Sequence, residues 1–429
     1  MTNPSLAPDS ASDPLFDALE STATSAGLPA MFALLAERLA AQQRWHALFD
    51  ARLLEARAML NLPLAGELVM EPEATPAPAP ATPASPRSEV DTRSLAACRE
   101  VGWPLVEEGQ VAAGWMYLRA AVTPAEMAER LAGLVARLPA QDMGGADTPA
   151  EETAQEIIHV ALWEGIDPAL GLSLLLARNG TCNAITAYEQ AVSRLPARRQ
   201  EPAARLLVNH LYGEIRANLA HDLASRGRLA TAEDGTSIAG LLDATGGLAD
   251  DGSIHVDVSH LQSVLRLARV CTDRDTLQQA WELARYGSRL PPEVTYPGEP
   301  PFENVAEASR HFFGAQLGHD VPQAVAYFRK AAVLANVEEA GTLPSDTLML
   351  LLWRLGRPQE ALHAALQRPH AEGMPSAPQA IGMLPNLVEL ASAAGDFQAL
   401  RAACRQHGDT TTFAATLAAE QRAAAKRVI

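Results

Sequence analysis

The densest group of chemically capable side chains is the run IHVDVSH at 254–260, which carries His255, Asp257 and His260. Two imidazoles and a carboxylate within six residues are the ligand types of zinc and iron sites. Further ligands would have to come from His210, Glu214 or His221 on the stretch 201–226, where His210 and Glu214 lie four apart and so share a helix face. The same run also reads as an ordinary helix start. Ser259 can cap the following helix with Gln262 three residues on, and Asp257 can cap in its place.

Two other groups invite attention. Asn179, Cys182 and Asn183 surround a turn in ARNGTCNA. Cys182 would serve as a nucleophile if a histidine such as His159 or His210 stood beside it as base. Against that, a cysteine at such a turn packs as a small residue, Asn179 suits a helix C-cap, and Asn183 suits a polar helix face. The loop TYPGEPPFEN, 295–304, holds Tyr296 and Phe302 among prolines. Its rings would either meet a partner or plug the seam between two hairpins. Tyr296, Phe302, Asn179 and Asn183 are therefore the candidate partner contacts, and His255, Asp257 and His260 the alternative metal set.

These side chains are positioned by helices. In 167–196, Leu170, Leu174, Leu175 and Ala177 mark one apolar helical face, and Asn179-Gly180 ends it because both residues accept left-handed backbone. Ala184, Ile185, Tyr188, Ala191 and Val192 recur at threes and fours, and Pro196 stops the second helix. In this hairpin Ala184, Tyr188, Ala191 and Pro196 occupy the small, aromatic, small and closing-proline places of a tetratricopeptide repeat, which the chain resembles. Small residues let two helices approach closely, and the aromatic fills the space beside them. The family's first-helix Trp-Leu-Gly-Tyr signature is missing in nearly every unit.

Further hairpins are expected at the Gln42-Gln43 and Gly109 turns, and then at Gly318, Gly356 and Gly395. The last three glycines are 38 and 39 residues apart (356 − 318 and 395 − 356), somewhat more than the roughly 34 of a strict tetratricopeptide unit. The fold class expected is all-α, an α-α hairpin repeat array or tetratricopeptide-like solenoid, with a small N-terminal helical module. The expected boundaries are a disordered start at 1–12, the module at 13–70, a Pro/Ala-rich linker at 71–89 and the repeat domain at 90–429. An irregular insertion is expected at about 227–258, where glycine and aspartate break the helical pattern.

Charge and motif content exclude several functions. A net charge of −17, with only Lys330 and Lys426 as lysines, disfavours nucleic acid and anionic membrane surfaces as partners. Cys98, Cys182, Cys271 and Cys404 form no close pair, as expected of free thiols in a reducing compartment. No apolar run reaches the roughly 18 residues of a membrane span, and the acidic, polar start is unlike a secretion signal, so a cytoplasmic location is expected by elimination. The sequence has no Walker loop, G-x-G-x-x-G, H-E-x-x-H or G-x-S-x-G. The expectation is a non-enzymatic helical scaffold that binds a protein or peptide and needs no cofactor. The alternative is an enzyme on an α/α-hairpin scaffold, metal-dependent in one form, with its pocket near 210–260.

Overall fold

The computed structural model describes residues 14–64, 86–138, 148–227, 236–244, 255–368 and 383–427. Among them every regular element is a helix, so the fold is an all-α helical array. The chain divides into two compact units, Met1–Asp167 and Pro168–Ile429.

The first unit holds α1 (Pro14–Ala26), α2 (Leu28–Ala41), α3 (Trp45–Met59), α4 (Pro86–Glu107), α5 (Val111–Leu118), α6 (Pro124–Val135) and α7 (Pro149–Ile158). The expected turns stand at Gln43 and Gly109, both with positive φ. Residues 1–13, with the expected disordered start, lie outside the described residues, and so does the expected linker as far as 85. From Pro86 the chain is already helical, so 86–89 belong to α4 and not to a spacer. The helices on either side of that stretch share one core, in which Ala36, Leu39, Leu48 and Ala51 pack with Val101 and Leu105. Burying each of the larger side chains is worth about 1.5–3 kcal/mol. At the surface of the same seam Arg52 grips both oxygens of Glu100 at 2.8 and 2.7 Å. Glu108 accepts bonds from Gln43 and Trp45.

Between α4 and α5 the packing is backbone to backbone. A Cβ on Gly114 would stand 2.5 Å from Val106 Cγ2 and 2.7 Å from the Gly102 carbonyl oxygen. Only a residue without a side chain fits this approach at Gly114. At α6, Thr123 is the cap, accepting from the Glu126 N–H. The Glu126 carboxylate turns away from the cap to pair with Arg99.

The second unit begins with α8 (Pro168–Ala187), α9 (Ala197–Ser225), α10 (Ile238–Ala244), α11 (Val258–Leu267) and α12 (Arg274–Gly287). It continues through α13 (Val305–Leu317), α14 (Val321–Leu334), α15 (Val337–Ala340), α16 (Leu343–Arg354), α17 (Pro358–Leu366), α18 (Leu387–Ala394), α19 (Phe397–His407) and α20 (Thr410–Arg427). A π-helical turn, Tyr188–Val192, extends α8 toward Pro196. There Gln200 fastens the chain reversal. Its Nε2 donates to the Ser193 and Leu195 carbonyls at 3.0 and 2.6 Å, and its Oε1 accepts from the Tyr188 hydroxyl at 3.2 Å.

The glycine turns at Gly318, Gly356 and Gly395 have φ of 94°, 68° and 69°. They join α13 to α14, α16 to α17 and α18 to α19, and each hairpin packs on the next in sequence. Ala324, Phe328, Ala361 and Ala365 are buried along these contacts. Much of the expected insertion at 227–258 lies outside the described residues. The part that is described, α10, is docked on α12 by the buried Glu282, which accepts from the Ala239 N–H at 3.1 Å and the Tyr212 hydroxyl at 2.9 Å. The described end of that insertion, 255–257, is irregular, and α11 starts at Val258.

Candidate functional site

A break in α8 creates the site. Gly180 has φ 80° and ψ 176° inside the helix, a conformation that only glycine adopts freely. The helical ladder is interrupted there, and Asn183 Nδ2 donates to the freed Asn179 carbonyl at 2.8 Å. Asn179, Cys182 and Asn183 are all exposed.

Facing the break is a polar stripe on α9. His210, Glu214, Asn218 and Asp222 recur every four residues, which places them on one helix face. His210 Nε2 lies 2.9 Å from Thr181 Oγ1 and 3.4 Å from Glu214 Oε1. Asn218 Nδ2 donates to the His255 carbonyl at 3.0 Å, and Asp222 Oδ2 lies 3.2 Å from His255 Nε2. The third wall is the start of α11. The three walls enclose a polar cleft of about 410 Å³, lined by Asn179, Gly180, Thr181, Cys182, Glu214, Asn218, His255, Val256, Asp257 and His260. The structure thus joins the expected histidine run and the expected Asn-Gly turn in one site. Asn218 and Asp222 were the missed members, and continuing the four-residue spacing from His210 and Glu214 would have found them.

The geometry then tests each chemistry. His255 is enclosed by a closed hydrogen-bond ring. The Tyr286 hydroxyl accepts from the His255 backbone N–H at 3.0 Å and stands 3.3 Å from Nδ1. The consistent assignment has Tyr286 donating to Nδ1 and Nε2–H donating to Asp222, which occupies both ring nitrogens. Burial pushes the Tyr286 hydroxyl up to about 12, so it stays protonated and able to donate. At Asp222 desolvation raises the pKa, but the bonds from His255 and Arg226 outweigh it and hold the carboxyl below its usual range.

Asp257 is the cap of α11. Its Oδ1 accepts from the Ser259 hydroxyl at 2.6 Å and the Ser259 N–H at 2.8 Å. The hydroxyl bond is the larger cause of its lowered pKa. Among the described residues no group of three or more His, Cys, Asp or Glu is arranged to hold a metal ion. His221, named as a further ligand, is exposed on α9.

A histidine that activates a hydroxyl needs the nucleophile on one ring nitrogen and its orienting carboxylate on the other. At His210 both Thr181 and Glu214 approach Nε2. His159, the other base considered for Cys182, stands 4.0 Å from Glu164 in its own turn.

The two loop aromatics separate. Tyr296 is 62% exposed and Phe302 3% exposed. Phe302 meets Phe328 edge-on at 5.6 Å and stacks near Tyr327 at 6.5 Å, which makes it the plug and removes it from the exposed surface. Tyr296 is held at the backbone, where its carbonyl accepts from Gln262 Nε2. The exposed candidate contacts are therefore Asn179, Asn183 and Tyr296. No helix among the described residues is long and apolar enough to cross a membrane. The chain matches no family model, no curated protein and no solved structure.

Proposed function

We propose that this chain is a non-enzymatic, tetratricopeptide-like helical scaffold that binds a protein or peptide partner at the polar cleft beside Gly180. The observation that carries the reading is how the cleft's polar groups are spent. Both ring nitrogens of His255 are engaged, Oδ1 of Asp257 caps α11, and both contacts of His210 fall on one nitrogen. Groups held in this way are suited to orienting and hydrogen-bonding a bound segment. The glycine-turned hairpins at near-regular spacing support a repeat array, a scaffold class that binds partners along extended surfaces.

Glu214 and the exposed amides of Asn179 and Asn183 suit a partner segment that brings hydrogen-bond donors and positive charge. A photoreactive amino acid in place of Asn183, used in the native host, tests this. One stoichiometric protein adduct is expected, with none from the same probe in place of the exposed Glu338 on α15. An adduct of equal yield from both positions, or none from position 183, overturns the reading.

A further inference from the structure

A second cavity in the same unit has a different character. It has a volume of about 280 Å³, near the small end of ligand sites at about 300–1,000 Å³. None of its lining residues belongs to the cleft beside Gly180. Its wall is mostly apolar, with Tyr188, Leu267, Val270, Phe302 and Leu350 contributing.

Arg269 lines this cavity, and its Nε is buried with no hydrogen-bond partner among the described residues. Its guanidinium instead lies over two aromatic rings, 5.8 Å from the Phe302 centroid and 5.9 Å from that of Phe312. Desolvation, with Arg266 adding like charge, lowers its pKa to about 10, so it remains a cation at neutral pH. The residue is half-buried, and a desolvated guanidinium whose Nε lacks a hydrogen-bond partner is costly.

Glu299 acts on this charge from a distance, but no carboxylate among the described residues is hydrogen-bonded to the unpartnered Nε. Asp346 is engaged by Arg368, at 2.9 Å from Nε and 3.0 Å from the terminal nitrogen, and by the Thr342 hydroxyl at 2.8 Å. Glu189 and Glu299 are exposed and solvated. Arg266 also lines the chamber but donates to Ser263, so an apolar chamber with the underused guanidinium of Arg269 at its wall has the anatomy of a site for an apolar anion. The rings preorganise the cation, and its planar donors match a carboxylate.

We propose that this cavity binds a small organic monocarboxylate with an apolar body, its carboxylate on Arg269 and its hydrocarbon against Leu267, Val270 and Leu350. This goes beyond the partner reading and does not depend on it.

Titration calorimetry of the full chain with octanoate, and with octanamide as the uncharged counterpart, tests the proposal. Octanoate should bind one to one, and octanamide at least about tenfold more weakly, a difference of about 1.4 kcal/mol. Arg269→Met keeps the length of the stem but removes the charge, and should bring the two ligands within about twofold of each other. Because it removes a desolvated cation whose buried Nε has no hydrogen-bond partner among the described residues, its melting temperature should be retained or raised. Ser263→Phe fills the chamber from its half-buried wall and should abolish binding while leaving Arg269 in place. If Arg269→Met does not fold, the wild-type ligand ratio and the Ser263→Phe block decide the matter. No octanoate binding below about 1 mM, equal affinity for octanamide, or undiminished octanoate binding in either folded variant overturns the proposal.

Discussion

His255 and Asp222, 33 residues apart in sequence, meet with Nε2 3.2 Å from Oδ2. The contact ties the start of α11 to the polar stripe of α9, and it fixes one wall of the cleft. It also makes unit stability depend on acid. The Asp222 pKa is depressed below its ordinary 3.8, so its contribution is present above that value and lost as pH falls through the folded-state value. Asp222→Asn should therefore start with a lower melting temperature at neutral pH. It should then lose less than the wild type on acidification from about pH 5 to pH 2. Asp257, Asp273 and Asp409 are lowered too and will keep part of the acid sensitivity in the variant. Parallel acid limbs in thermal melts would show that the pair contributes nothing.

Tyr286→Phe removes the one hydroxyl that serves both the backbone and the ring of His255. The buried N–H is then left without an acceptor, which costs about 1–3 kcal/mol. Denaturant unfolding should show a lower midpoint with an unchanged slope. A midpoint equal to the wild type would mean that water replaces the bond.

Gly180 and Gly213 should respond in opposite directions to the same change. Neither would place a new Cβ within 4 Å of another atom, but Gly180 alone has positive φ, at 80°. Gly180→Ala should destabilise by about 1–3 kcal/mol through backbone strain. Gly213→Ala, inside α9, should stabilise by about 0.5–1 kcal/mol. Thermal melts of the two variants check both signs.

In the first unit, Gly114→Ala drives a methyl group against Val106 and the Gly102 carbonyl. Overpacking of this kind costs about 1–3 kcal/mol. An alanine tolerated without loss would mean that α4 and α5 slide apart freely.

The pattern of what the sequence revealed follows from range. Gly180, Gly318 and Gly395 announced their turns because left-handed backbone is a local demand. The pair Asp257/Ser259 announced a helix start for the same reason, although the choice of Asp257 over Ser259 needed the actual backbone. The partners of His255 were hidden, since Asp222 and Tyr286 lie 33 and 31 residues away and meet it only after α9, α11 and α12 pack. Phe302 and Tyr296 share one proline-rich loop, yet only Phe302 lies within reach of Phe328 and Arg269. The core shared across 65–85 was hidden as well, because a Pro/Ala-rich stretch says how chain is spaced but not whether its ends pack together.

The most direct measurement of the partner reading is quantitative capture of the crosslinked partner by the full chain and by a Glu214→Arg/Asn183→Arg double variant. Both positions are exposed to solvent, so the fold should be kept and a matching melting temperature verifies it. If the cleft holds a partner segment rich in donors and positive charge, capture should fall at least about tenfold, equivalent to about 1.4 kcal/mol. Undiminished capture by a folded double variant would contradict the assignment of this cleft as the binding surface.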